Sequence, residues 1–125
     1  MKVAIIGSRS ITDFPIGDIL PAETTEIISG GAKGVDLLAR RYAEAHGIPC
    51  TELLPDYEHY GRAAPLRRND EIIARADLVL AVWDGKSRGT AYTISQCRKL
   101  GRPVRILSSK SGEPPKESAA MKPSI

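Results

Sequence analysis

Three turns in the chain carry residues able to hold an anion: Gly7-Ser8-Arg9-Ser10, Ser29-Gly30-Gly31-Ala32-Lys33-Gly34 and Asp84-Gly85-Lys86-Ser87-Arg88-Gly89-Thr90. Glycines leave backbone N–H groups open to a ligand, and a helix that starts directly afterwards adds unpaired donors and the positive end of its dipole. Arg9, Lys33, Lys86 and Arg88 add full charges. The competing reading of each turn is structural, a tight strand-to-helix corner that needs glycine only for its backbone angles. Separately the turns say little; brought to one place they form a phosphate site.

Two carboxylates and one amide accompany these turns. Asp36 follows the second turn, where a helix dipole favours a negative charge, so structure alone accounts for it. In a functional role it would hold ribose hydroxyls or fix Lys33, since it would repel a phosphate placed too close. Asp84 opens an Asp-Gly turn and is the carboxylate nearest the end of the chain's most apolar run. Asn69 falls on an otherwise apolar helical stripe, beside Arg68, and must either face a crevice or bond a local carbonyl. Trp83 is expected in the core, with base stacking as the alternative. Tyr57, His59 and Tyr60 could form an aromatic lid or simply decorate a surface loop.

The elements that would position these residues alternate strictly. Val3 to Ile6, Thr24 to Ile28, Cys50 to Leu54, Leu78 to Trp83 and Val104 to Leu107 read as strands. Between them lie a weak helix over Phe14 to Leu20, a helix from Gly34 stopped by Gly47 and Pro49, a third from Pro65 to about Ala76, and a fourth from Thr90 to Leu100. On the third helix the inward stripe is expected to be Leu66, Ile73 and Ala76 with Ile72, while Arg67 and Arg75 pair with Asp70 and Glu71. This alternation predicts a single α/β domain, Rossmann-like and three-layered, with a five-stranded parallel sheet in the order 3-2-1-4-5. That order sets the two most apolar strands side by side at a topological switch and gathers all three turns at the carboxyl edge. Residues 1–108 are expected to form this domain and 109–125, rich in Ser, Lys and Pro, a flexible tail.

Composition narrows the function further. With 125 residues and 42% hydrophobic content the chain fits one compact domain. A formal charge of +3 with interspersed acids suits an anionic small ligand and is too small to indicate nucleic acid. Two cysteines without a C-x-x-C pair, and no run long enough to span a membrane, suggest a reduced, cytoplasmic protein without a metal site or membrane partner. Neither G-x-G-x-x-G nor a Gly-Lys-Ser/Thr ending is present, so dinucleotide cofactors and ATP hydrolysis are not favoured, and no cofactor is expected.

Gly7-Ser8-Arg9, Ser29-Gly30-Gly31-Ala32-Lys33-Gly34-Val35-Asp36, Arg68-Asn69 and Gly89-Thr90 resemble the SLOG superfamily, above all its YspA/YpsA-related small proteins. The second motif is also similar to the Ser-Gly-Gly-Ala-x-Gly-x-Asp of the Smf/DprA proteins. The resemblance implies a domain that binds a nucleotide or nucleotide derivative, through Gly7, Ser8, Arg9, Ser29, Gly30, Gly31, Lys33, Gly34, Asp36, Arg68, Asn69, Asp84, Gly89 and Thr90. It also implies a homodimer or higher homo-oligomer. In the related Lonely Guy phosphoribohydrolases a glutamate follows the Gly-Thr pair and works at the N-glycosidic bond; here Thr93 stands in its place and cannot act as a carboxylate. A sensor or binding module is therefore the first expectation. A phosphoribohydrolase using Asp84 or Asp36, with Arg68 as phosphate clamp, is the alternative. Single-stranded DNA binding, by analogy with DprA, comes third.

Overall fold

The computed structural model describes residues 1–108, so the expected tail at 109–125 lies outside the described residues. Five parallel strands form one sheet in the order β3-β2-β1-β4-β5. They are β1 (Lys2–Gly7), β2 (Glu26–Ser29), β3 (Cys50–Glu52), β4 (Leu78–Trp83) and β5 (Val104–Ser108). The helices are α1 (Ile16–Ile19), α2 (Val35–His46), α3 (Tyr57–Tyr60), α4 (Ala64–Arg75) and α5 (Arg88–Leu100), with a 3-10 turn at Gly61–Ala63.

The continuous apolar runs of β1 and β4 follow from burial on both faces. Val3 and Ile5, with Leu78, Leu80 and Val82, pack on one side against Val35, Ala39 and Ala43 of α2. Ala4 and Ile6, with Val79 and Ala81, pack on the other side against Ile72, Ile73 and Ala76 and against Ile94 and Cys97 of α5. Each face is thus closed by its own helices, and the sheet is the middle of three layers. The Cys97 thiol is buried, and burial pushes its pKa up to about 11, which makes it packing rather than chemistry.

Several boundaries differ from the sequence reading. The first helix shrinks to Ile16–Ile19: Phe14 buries in the loop ahead of it, and Ile16 is the one buried residue of the helix itself. The second strand begins at Glu26, not Thr24, and runs on to Ser29. Strand β3 ends at Glu52, after which the Leu53 N–H turns back to the Ser29 carbonyl and Leu54 is exposed. The segment before α4 is not a plain loop: Asp56 Oδ1 accepts the His59 N–H and caps α3.

On α4 the expected stripe is wrong at Leu66, which is 38% exposed. The helix packs on the sheet through its later turns, at Ile72, Ile73 and Ala76, while its first half lies beside the carboxyl edge. Arg75 pairs with Glu71 at 3.7 Å, but Arg67 lies over the Tyr60 ring, 5.4 Å from its centroid. Asp70 instead accepts the Tyr92 hydroxyl at 2.9 Å and the Gln96 amide, bracing α4 against α5. No helix among the described residues is long and apolar enough to cross a membrane.

Candidate ligand site at the carboxyl edge

Strands β1 and β4 lie side by side with Gly7 opposite Val82, and the chain leaves them toward opposite halves of the sheet. Such a switch opens a crevice beyond the strand ends. Ser8 stitches its floor. The Ser8 N–H donates to the Val82 carbonyl at 3.1 Å, Ser8 Oγ accepts the Asp84 N–H at 3.1 Å, and the Ser8 carbonyl accepts the Ile11 and Val35 N–H groups.

Asp84 is spent on its own loop. Its Oδ1 accepts the Lys86 and Ser87 N–H groups, each at 2.8 Å, and its Oδ2 accepts the Ser10 hydroxyl at 2.9 Å. Desolvation pushes its pKa up, but these bonds together outweigh it and hold the carboxyl down at about 2. A depressed folded-state pKa means stability that is present above the ordinary carboxylate pKa and lost as pH falls from about 4 toward 2. Asp84→Asn should therefore lose about 1 kcal/mol at neutral pH, after allowing for solvent screening, and flatten the acid limb of a denaturation series. An unchanged acid limb would show that the loop does not depend on this charge.

Beyond Asp84, Ser87 accepts the Thr90 N–H at 3.4 Å and caps α5, and the Trp83 indole N–H donates to the Ser87 carbonyl at 3.0 Å. Trp83 thus ties the loop down from the edge of the core. Thr93 Oγ donates back to the Gly89 carbonyl at 3.0 Å.

The second turn is built around Gly30. The Arg68 guanidinium donates to the Gly30 carbonyl and, at 3.4 Å, to that of Leu53, while its Nε donates to Asn69 Oδ1 at 2.8 Å. Asp36 Oδ2 accepts the Ala32 N–H at 3.1 Å. A Cβ on Gly30 would sit 2.7 Å from Arg68 Nη1 and 2.8 Å from Asp36 Oδ2, so only glycine lets both side chains close on this point. Asp36 is 5% exposed, and its Oδ1 is buried with no hydrogen-bond partner among the described residues. Desolvation pushes the Asp36 pKa up to about 6, with the Ala32 N–H, the charge of Arg68, the Gly30 N–H and Arg9 pulling the other way. Arg68 is partly buried, which pulls its own pKa down, with Asp36 opposing.

These groups surround a cavity of about 360 Å³, within the range of small-ligand pockets. Of the residues anticipated from the sequence, Gly7, Arg9, Asp36, Arg68, Asn69, Asp84, Gly89 and Thr90 line it. Ser8, Ser29, Gly30, Gly31 and Gly34 are not among the lining residues and shape the turns behind it. Lys33 is exposed and also outside the lining. Ser10, Ser87 and Thr93 line the cavity although the sequence did not single them out as ligand contacts. Ser87, three residues before Thr90, carried a legible helix-cap signal. Arg68 is also a wall of a second cavity of about 450 Å³, where Tyr60 and Arg67 lie. Neither Tyr57 nor His59 lines either cavity, and Tyr60 lines only the second, so the three aromatics do not cover the first.

Comparison with known proteins bears on the same residues. The model of the YspA, cpYpsA-related SLOG family matches residues 1–60, which carry the turns after β1 and β2. The Gene 61 protein of Mycobacterium phage D29 is 37% identical over 116 residues, an alignment covering 82% of this chain and 93% of that protein. No solved structure matches the chain.

Proposed function

Since the chain belongs to the YspA, cpYpsA-related SLOG family, whose membership suggests nucleotide-related binding or processing, we propose that it is a binding module for a nucleotide-like phosphorylated ligand. The observation that carries this reading is the joint lining of one cavity by Arg9, Arg68, Asn69 and the capped first turn of α5. The α5 helix runs for 13 residues, so its N-terminus presents aligned donors and the positive end of a full dipole, with Gly89 and Thr90 beside them. Arg68 is held by two carbonyls and Asn69, which fixes its fork for an anion instead of leaving it to solvent. With Asn69 Oδ1 occupied, its amino group is the donor left for a ligand.

Calorimetric titration with nucleoside mono- and diphosphates tests the reading. Arg68→Ala should weaken binding about thirtyfold, since a charge-assisted hydrogen bond is worth about 2 kcal/mol. Lys33→Ala, outside the cavity lining, should change it less than threefold. No binding across the panel, or equal losses in the two variants, would count against the site.

One observation supports hydrolysis as a second reading. Of the two carboxyls in the cavity, Asp36 has a pKa near the working range of a general acid, whereas Asp84 is held at about 2. Release of free base from a nucleoside monophosphate, abolished in Asp36→Asn and retained in Asp84→Asn, would favour this reading. Inactivity in protein that binds the same nucleotide would remove it.

A further inference from the structure

A carboxyl inside a cavity built for anions is an electrostatic contradiction. Asp36 is nearly fully buried, has one oxygen without a hydrogen-bond partner among the described residues, and borders the same space as Arg9 and Arg68. Arg68 donates through Nε and Nη1 to Asn69 and to the Gly30 and Leu53 carbonyls and not to Asp36, so the charge of Asp36 is not cancelled by a direct ion pair among the described residues. The charged groups that face it are Arg68 from α4, Arg9 from the loop after β1, and across the cavity Asp84, which stays ionised throughout the neutral range.

Taken as a sphere, 360 Å³ is about 9 Å across, which sets the scale of the separation between Asp36 and an anion in the cavity at about 9 Å. At that distance two like charges, in a medium of effective dielectric about 20, disfavour each other enough to displace a titration by about one pH unit. The anion would also draw on the arginines that now favour ionised Asp36. Both effects have the same sign.

We infer that Asp36 is a proton-linked partner of the phosphate site: an anion settling against Arg9 and Arg68 makes Asp36 take up a proton, so the site holds anions more tightly in acid than in alkali. This rests on the ligand reading above and names its regulation. Its chemical consequence is a site that releases phosphorylated ligand as pH climbs through neutrality. The usual expectation is the reverse, because a phosphate monoester gains charge over the same range. Starting from about 6, Asp36 lies where such a displacement changes its protonation near neutral pH.

The test uses the whole chain with two probes: sulfate, whose charge is constant across this range, and adenosine 5′-monophosphate. The Asp36 carboxyl is followed by ¹³C NMR from pH 5 to 8.5, free and saturated with each probe, and affinities are measured by calorimetry in buffers of different ionisation enthalpy. The expected result is an upward displacement of the Asp36 titration by one unit or more with sulfate, and uptake of about half a proton at pH 7. Sulfate affinity should fall about fivefold between pH 6 and 8, and whatever the affinity of Asp36→Asn, its pH profile should be flat. Saturating binding with no displacement and no proton uptake overturns the inference while the ligand reading stands. Failure of both probes and of every other phosphorylated compound to bind overturns the ligand reading as well. The wild-type NMR titration decides the matter even if Asp36→Asn does not fold.

Discussion

Gly34→Ala is expected to cost the folded chain about 3 kcal/mol or more, lowering the thermal midpoint by more than about 10 °C. Gly34 stands at φ 74 and ψ −127, a region essentially closed to residues with a Cβ. Space is short as well: an added Cβ would lie 2.4 Å from the Ser8 carbonyl oxygen and 2.6 Å from that of Arg9. Both obstacles are backbone, so no side chain can swing aside. Relief requires the β1 loop and the start of α2 to separate, which breaks the Val35 N–H bond to the Ser8 carbonyl. Thermal denaturation of the two proteins side by side measures it, and a midpoint within two or three degrees would show that this corner yields cheaply.

Asp36→Asn is expected to do the opposite and stabilise the ligand-free protein, by about 2 kcal/mol at pH 7 to 8. The sign follows from the direction of the shift. The unfolded carboxyl releases its proton near 3.8, while the folded one keeps it until about 6. Between those values the unfolded state is increasingly favoured, so stability from this group is greatest below about pH 4, declines toward 6 and stays low above it. Asparagine carries no charge and its amide oxygen can still accept the Ala32 N–H. The difference between wild type and variant in urea denaturation should therefore be near zero in acid and reach its plateau above neutrality. A difference that is constant with pH would mean that Asp36 is not desolvated as its burial implies. A stabilising substitution at a cavity wall is what a functional site would show, since natural chains retain strain where a ligand needs it.

The sheet was legible in the sequence because burial on two faces writes an unbroken apolar run. Val3 to Ile6 and Leu78 to Trp83 had that form, and their placement side by side in the order 3-2-1-4-5 is what the fold contains. The helices were legible where the stripe and the cap agree, as in α2, closed by Gly47 in the left-handed region. They were less so in α4, where Leu66 fits the period but the helix has not yet reached the sheet. Periodicity reports which face turns inward, not where along its length a helix meets a partner.

The cavity itself was legible as a convergence of turns, since strand order brings their ends together. What stayed hidden was the division of labour. Asp36, in the first turn of a helix, and Asp84, in an Asp-Gly turn, were equal candidates for the carboxylate of a hydrolase. They differ because Asp84 collects two backbone donors and a serine hydroxyl, plus the Ser8 contact that fixes its own N–H, whereas Asp36 is buried with its Oδ1 lacking a hydrogen-bond partner among the described residues. Such contacts across 74 or 76 positions are invisible to local spacing. Lys33 was the opposite case: its charge drew notice, but the residue is exposed and lies outside the lining that its turn helps to build.

The bonds of Ser8 reach the amide hydrogens of Ile11, Val35 and Asp84 and the carbonyl of Val82. One small residue therefore joins the loop after β1, the first residue of α2 and the loop after β4. Segments tied through a shared junction do not fray one by one; they open as a cooperative unit with a common free energy. A ligand then meets a finished receptacle, with little chain entropy left to lose on docking. Differences in affinity among its ligands should appear as differences in how long each one stays, not in how fast it arrives.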